Sequence, residues 1–243
     1  EEQTIACFFT GSNHAGENLE DLLSRRLAQL PPPIRMCDAL SGNLPGTVKT
    51  ILANCLTHGR RNFVDTIPAF PEQAEYVIDI LARVYHIDDP AKANRLSADQ
   101  RLAFHQQHSA PLMQDLKEWL ENQPAENSVE PYSSMGKAIL YMLNHWPALT
   151  LFLRVPNAPP DNNFCERVLK QCILHRKNSL FFKSLRRAWV GDLFMSLIAT
   201  CRFSGVNPFA YLTALLQNTK KILQSPGEWM PWNYLHTLAG LPP

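Results

Sequence analysis

The feature that most constrains this fold is a change of hydrophobic period near residue 70. Before it, apolar residues come in short runs bounded by proline, glycine and polar clusters: residues 4–10 (TIACFFT), 34–38 (IRMCD) and 50–55 (TILANC). Runs of that length, rich in Ile, Phe and Thr, read as strands. Between the first two, residues 13–30 carry Leu19, Leu22, Leu23, Leu27 and Leu30 at helical spacing, and Pro31-Pro32-Pro33 stops the helix. Gly42 to Gly46 read as a loop, and a short helix is expected over 58–64. From residue 70 to 146 the period becomes 3.6, with helices expected over 72–86, 97–122 and 133–144. Asp88-Asp89-Pro90 and residues 124–131 read as the linkers between them. Both periods in this order imply an α/β fold, mostly helical by content, whose small sheet is interrupted by a helical insertion. Loop closure costs grow only logarithmically with length, so a long insertion is tolerable.

An apolar run over 149–155 leads into the punctuation of Pro156, Pro159 and Pro160. A helix bearing Glu166 follows, then a second over 188–203 and a third from Asn207-Pro208 to about residue 217. The tail from Ser225, with Trp229, Pro231, Trp232 and Tyr234, reads as an arm packed on the body. The chain thus divides at 1–66, 67–155, 156–218 and 219–243, and 243 residues suffice for a sizeable core. No apolar run reaches the length of a membrane span, and 4–10 is too short for a signal-peptide core, so a cytoplasmic protein is expected. The six cysteines are scattered without a CxxC and read as reduced, mostly core thiols. Cys55 and His58 make half of a zinc spacing, and no second half follows.

Charge is segregated. Residues 70–130 hold eleven acidic and five basic side chains, whereas 161–190 hold seven basic and two acidic. The basic block interleaves Phe181, Phe182 and Trp189 with Arg167, Lys170, Arg176, Lys177, Lys183, Arg186 and Arg187, a pattern suited to DNA or RNA. The competing reading is a solvated helix face paired with the acidic segment inside the fold.

Two carboxylates stand out by position. Asp38 ends a strand, where side chains at the edge of an α/β sheet tend to form sites, although a strand-end turn residue is the commoner case. Glu166 opens the basic helix within Pro160-Asp161-Asn162-Asn163-Phe164-Cys165-Glu166-Arg167. With Asn163 as the N-cap, Glu166 falls at N3, a capping box that needs no function. Brought together, the two carboxylates suit Mg²⁺, which favours oxygen ligands; a two-ion site for phosphoryl transfer needs a third carboxylate from a neighbouring strand.

Five ordered blocks resemble the C-terminal part of a transposase of the insertion sequence 66 family, a DDE-type bacterial transposase. They are Pro33-Ile34-Arg35-Met36-Cys37-Asp38-Ala39-Leu40, Cys55-Leu56-Thr57-His58-Gly59-Arg60-Arg61-Asn62-Phe63, the Pro160 to Arg167 stretch, His175-Arg176-Lys177-Asn178-Ser179-Leu180-Phe181, and Gly205-Val206-Asn207-Pro208-Phe209-Ala210-Tyr211-Leu212. The resemblance implies an RNase H-like core, lacking its first strands, with a helical insertion and C-terminal helices. It makes Asp38 the second and Glu166 the third catalytic acid, both ligands of a two-metal site for Mg²⁺ or Mn²⁺ in the complete enzyme. His58, Arg60, Arg61, Arg167, Lys170, Arg176 and Lys177 become candidate DNA contacts, with a structural hydrogen bond as the alternative for His58. Ser184 to Trp189 departs from the family's glycine-containing loop. The family's first catalytic Asp lies upstream of residues 4–10 and has no counterpart here, so the chain is expected to be an N-terminally truncated fragment, inactive alone in DNA cleavage and strand transfer. Its partners would be transposon and target DNA, and a homo-oligomer or full-length transposase. The alternatives are a non-catalytic DNA-binding or regulatory module derived from a transposase, and an α-rich domain without DNA contact.

Overall fold

The computed structural model describes residues 3–11, 15–27, 29–39, 48–125, 129–178 and 182–240. The expected loop at Gly42 to Gly46, the helix start at Asn13 and the Ser179-Leu180-Phe181 part of one block lie outside them. The chain forms two units, His14–Cys165 and the pair of segments Glu1–Asn13 and Glu166–Pro243.

In the first unit, helix α1 (Ala15–Ser24) precedes strands β1 (Ile34–Cys37) and β2 (Ile51–Asn54). α1 is shorter than its leucine spacing implies, because Ser24 Oγ donates to the Asp21 carbonyl and tight turns follow at Arg25 and Arg26. Leu27 and Leu30 are left exposed. The strands pair in parallel from Ile34↔Ile51 to Cys37↔Asn54. Helix α2 (Leu56–Val64) leaves the end of β2, and α3 (Pro71–Ala93), α4 (Ala98–His108), α5 (Ala110–Ala125) and α6 (Ser134–Leu149) follow, with a 3₁₀ turn over Leu151–Leu153.

The helical block does not stand apart from the sheet. Ala53 of β2, Leu56 and Phe63 of α2, Val77, Leu81 and Val84 of α3, Leu116 and Leu120 of α5, and Ile139 and Met142 of α6 share one core. The expected boundary at residue 66 therefore runs through packed apolar side chains. Asp88-Asp89-Pro90, expected as a linker, lies inside α3. The reason is electrostatic. Asp88 is fully buried, accepts from Arg101 (2.7 and 2.9 Å) and His105 Nε2 (3.0 Å) of α4, and makes an ion pair with Lys92 Nζ (2.5 Å) within α3, so its turn chemistry is spent on tying α3 to α4. Arg95, at φ 49°, then closes α3 in a Schellman arrangement, with Leu96 N–H on the Ala91 carbonyl. Ser97 and Gln100 form a reciprocal capping box for α4. The single helix expected over 97–122 is divided at Ser109, since Pro111 has no N–H to continue α4 and suits the first turn of α5.

The second unit contains α7 from Glu166 onward (the helix spans Asn163–Asn178), α8 (Leu185–Phe203), α9 (Pro208–Gln217), α10 (Thr219–Gln224), a 3₁₀ turn (Pro226–Trp229) and α11 (Tyr234–Ala239). Gly205, at φ +67°, terminates α8 in a second Schellman motif, with Val206 N–H on the Cys201 carbonyl. The Asn207 carbonyl oxygen of the side chain caps α9. The tail packs as expected: Trp229 and Tyr234 are buried with Cys201, Tyr211 and Ala214, and the Tyr211 hydroxyl donates to the Trp229 carbonyl at 2.8 Å.

Residues 4–10 are not a buried strand. The segment is extended and largely exposed, and it lies along α8. Ala6 N–H donates to Thr200 Oγ1 (3.1 Å), Phe8 N–H to Ser196 Oγ (2.9 Å) and Thr10 N–H to the Asp192 carboxylate. Two extended residues advance about 6.6 Å and four helical residues about 6.0 Å. Alternate amides therefore fall beside successive turns, and helix side chains replace a strand partner. None of the six cysteines forms a disulfide; Cys55 and Cys201 are buried, Cys37 and Cys172 are half-buried, and Cys7 and Cys165 are exposed. No helix among the described residues is long and apolar enough to cross a membrane.

Candidate functional site

Asp38 directly follows β1 and is half-buried. Its neighbour Cys37 stands in register with Asn54, the last residue of β2. Cys55 N–H continues the ladder to the Cys37 carbonyl at 3.1 Å. Burial pushes the Cys37 thiol up, the charge of Arg35 opposes this, and the charge of Asp38 adds to it. Asn54 is 2% exposed, and its Oδ1 is buried without a hydrogen-bond partner among the described residues. An unpaired buried oxygen is costly. Sequence reasoning missed Asn54, although one signal was available: a polar residue closing the apolar run Ile51-Leu52-Ala53, beside the acid that closes its neighbour.

The start of α2 is tied to the Pro160 stretch. Leu56 N–H donates to the Pro160 carbonyl at 3.0 Å, and Asn163 Nδ2 donates to Thr57 Oγ1 at 3.1 Å. Thr57 Oγ1 also pairs with the Tyr85 hydroxyl at 2.9 Å. Burial pushes the Tyr85 phenol far above its ordinary range; the bond to Thr57 opposes this, and the charge of Asp161 adds to it. Tyr85 stays neutral and fixes Thr57. Asn163 is the first residue of α7, and its amide is engaged by Thr57; the side-chain acceptor is Asp161, whose Oδ1 receives the Asn163 N–H at 2.9 Å. Three of the five sequence blocks, those of Asp38, Thr57 and Pro160, thus converge at one end of the two-stranded sheet. His58 and Arg60 are half-buried on α2, and Arg61 is exposed.

Glu166 opens the second unit, half-buried in the first turn of α7, where a carboxylate complements the helix dipole. His175, Arg176 and Lys177 occupy the last turn, the favourable end for cations. Arg167, Lys170 and Lys177 are exposed, Arg176 is half-buried, and no residue of α7 is buried. The exposed cations Arg167, Lys170 and Lys177 are open to solvent or to a polyanion. In the acidic helices of the first unit, Asp88 is matched from within by Lys92, Arg101 and His105. Among the described residues, no group of three or more His, Cys, Asp and Glu side chains is gathered for a metal.

The oxygen acceptors at the sheet end are of the kind that suits a cation, and the exposed cations of α7 are of the kind that suits an anion. The chain belongs to the IS66 transposase family: the profile described as Transposase IS66 family matches residues 1–189, and the IS66 C-terminal element matches 196–223. It is 35% identical over 188 residues to "Uncharacterized protein y4jD" of Sinorhizobium fredii (strain NBRC 101917 / NGR234), covering 75% of this chain and 36% of that protein. It is 30% identical over 196 residues to "Uncharacterized protein y4qI" of the same organism, covering 78% of this chain and 35% of that protein. The chain therefore spans about a third of the length of these relatives. No solved structure matches it.

Proposed function

We propose that the chain acts in DNA transposition as part of a DDE-type transposase with an RNase H-like core, in metal-dependent phosphodiester cleavage and strand transfer. In this reading Asp38 and Glu166 are ligands for Mg²⁺ or Mn²⁺. Bound divalent ions would activate a water or a 3′-hydroxyl and neutralise charge on the phosphate. The chain's own residues hold and orient: Asp38 and Glu166 supply hard oxygens, which suit these ions. The buried, unpaired Asn54 Oδ1 is a further oxygen at the same sheet end. His58, Arg60 and Arg61 on α2, and Arg167, Lys170, Arg176 and Lys177 on α7, would contact phosphates. Two carboxylates are too few for a two-ion site, so a third is proposed from a neighbouring strand.

The observation that carries the reading is the pair of bonds from Leu56 to Pro160 and from Asn163 to Thr57. They tie residues 160–163, within the first unit, to α2, which leaves the strand paired with β1 at the sheet end that carries Asp38. Mn²⁺ binding followed by electron paramagnetic resonance tests it. Asp38→Asn and Glu166→Gln are each expected to weaken binding at least about ten-fold; binding indifferent to both substitutions overturns the ligand assignment.

A further inference from the structure

Within the second unit, α7 and α8 enclose a pocket of about 780 Å³. Its walls are apolar, from Phe182, Val190, Phe194, Met195 and Ile198, and its rim carries His175, Arg186 and Arg187. The volume lies in the range of about 300–1,000 Å³ usual for small-ligand sites. Phe182 packs its ring tip on the α8 backbone at Gly191, where an added Cβ would stand 2.5 Å from Phe182 Cζ. Phe194 is 46% exposed, with ring surface uncovered. Arg186 and Arg187 of the lining are exposed, as are Lys183 and Trp189 in the same stretch of chain.

An apolar partner alone would not call for arginines at the rim, and a duplex backbone alone would not call for phenylalanines in the wall. Unpaired nucleotides present both: an anionic phosphate for the rim and a π-face for the rings. We infer that this pocket takes unstacked bases of single-stranded DNA, with Phe182 and Phe194 as the stacking platform and Arg186 and Arg187 on the flanking phosphates. The inference deepens the DNA-binding part of the proposed function and rests on it.

The test compares three 20-mers by fluorescence anisotropy on the 243-residue chain: oligothymidylate, the same strand with consecutive abasic sites, and a duplex. Oligothymidylate is expected to bind about ten-fold tighter than the abasic strand. Phe194→Leu, which keeps the apolar volume, is expected to erase that difference while leaving the salt slope unchanged. Arg186→Gln with Arg187→Gln is expected to reduce the single-strand slope by about 1.4. Circular dichroism matching the parent certifies that each variant is folded. Abasic and normal strands bound equally by the parent chain, as a pocket meant for an apolar peptide would give, overturn the base pocket while salt-dependent duplex binding leaves the DNA-binding reading standing. No salt-dependent binding of any of the three overturns both.

Discussion

Asp88 shows how much a single buried charge decides. Burial by itself would raise its carboxyl, but the bonds from His105 and Lys92 and the charge of Arg101 outweigh that and hold it well below the usual carboxylate range. Asp88→Asn leaves Arg101 and Lys92 facing a neutral amide, and about 3–5 kcal/mol of unfolding free energy is expected to be lost in urea titration. A depressed carboxyl contributes stability that is complete above its unfolded value and drains away as pH falls toward the folded one. The parent chain is therefore expected to lose stability below about pH 4, with Asp88→Asn showing a shallower dependence in that window. Arg95 offers the opposite change. Its φ of 49° suits glycine, and Arg95→Gly is expected to stabilise the chain by about 1 kcal/mol, read as a higher urea midpoint.

At the level of elements, what was legible depended on whether the cause was local. Asn207-Pro208 announced α9, because caps act within a few residues. The strand ends at Cys37 and Asn54 were legible from apolar runs of the right length. Asp88-Asp89-Pro90 was misread because its partners Arg101 and His105 lie a turn and a helix away. The site was legible in the same uneven way. Asp38 stood out by ending a run, whereas the Tyr85–Thr57–Asn163 chain joins residues 28 and 106 positions apart and leaves no local trace. Residues 4–10 have the composition of a strand, yet their amides are taken by side chains of α8, which no period reveals. Ser196→Ala with Thr200→Val removes two of the three acceptors; limited proteolysis is expected to cut residues 3–11 several-fold faster than in the parent.

At the scale of the whole molecule, the described residues form two hydrophobic cores of unequal size, one per unit. The larger draws on β2, α2, α3, α5 and α6; the smaller on α8, α9 and the tail. Unequal cores imply unfolding in more than one step. Trp119 and Trp146 report on the first unit, and Trp229 on the second. With the other tryptophans replaced by Phe, the Trp229 signal is expected to change at lower urea than that of Trp119; coincident transitions would refute the separation. The ladder of Ala6, Phe8 and Thr10 on α8 adds a dimension of time. Its partners are separated by up to 194 residues, so at about 5–20 residues per second the extended segment waits on the order of 10–40 s during synthesis before its helix exists. Residues 14–165 are complete well before then. The first unit is thus free to fold before the ladder of the second unit can form.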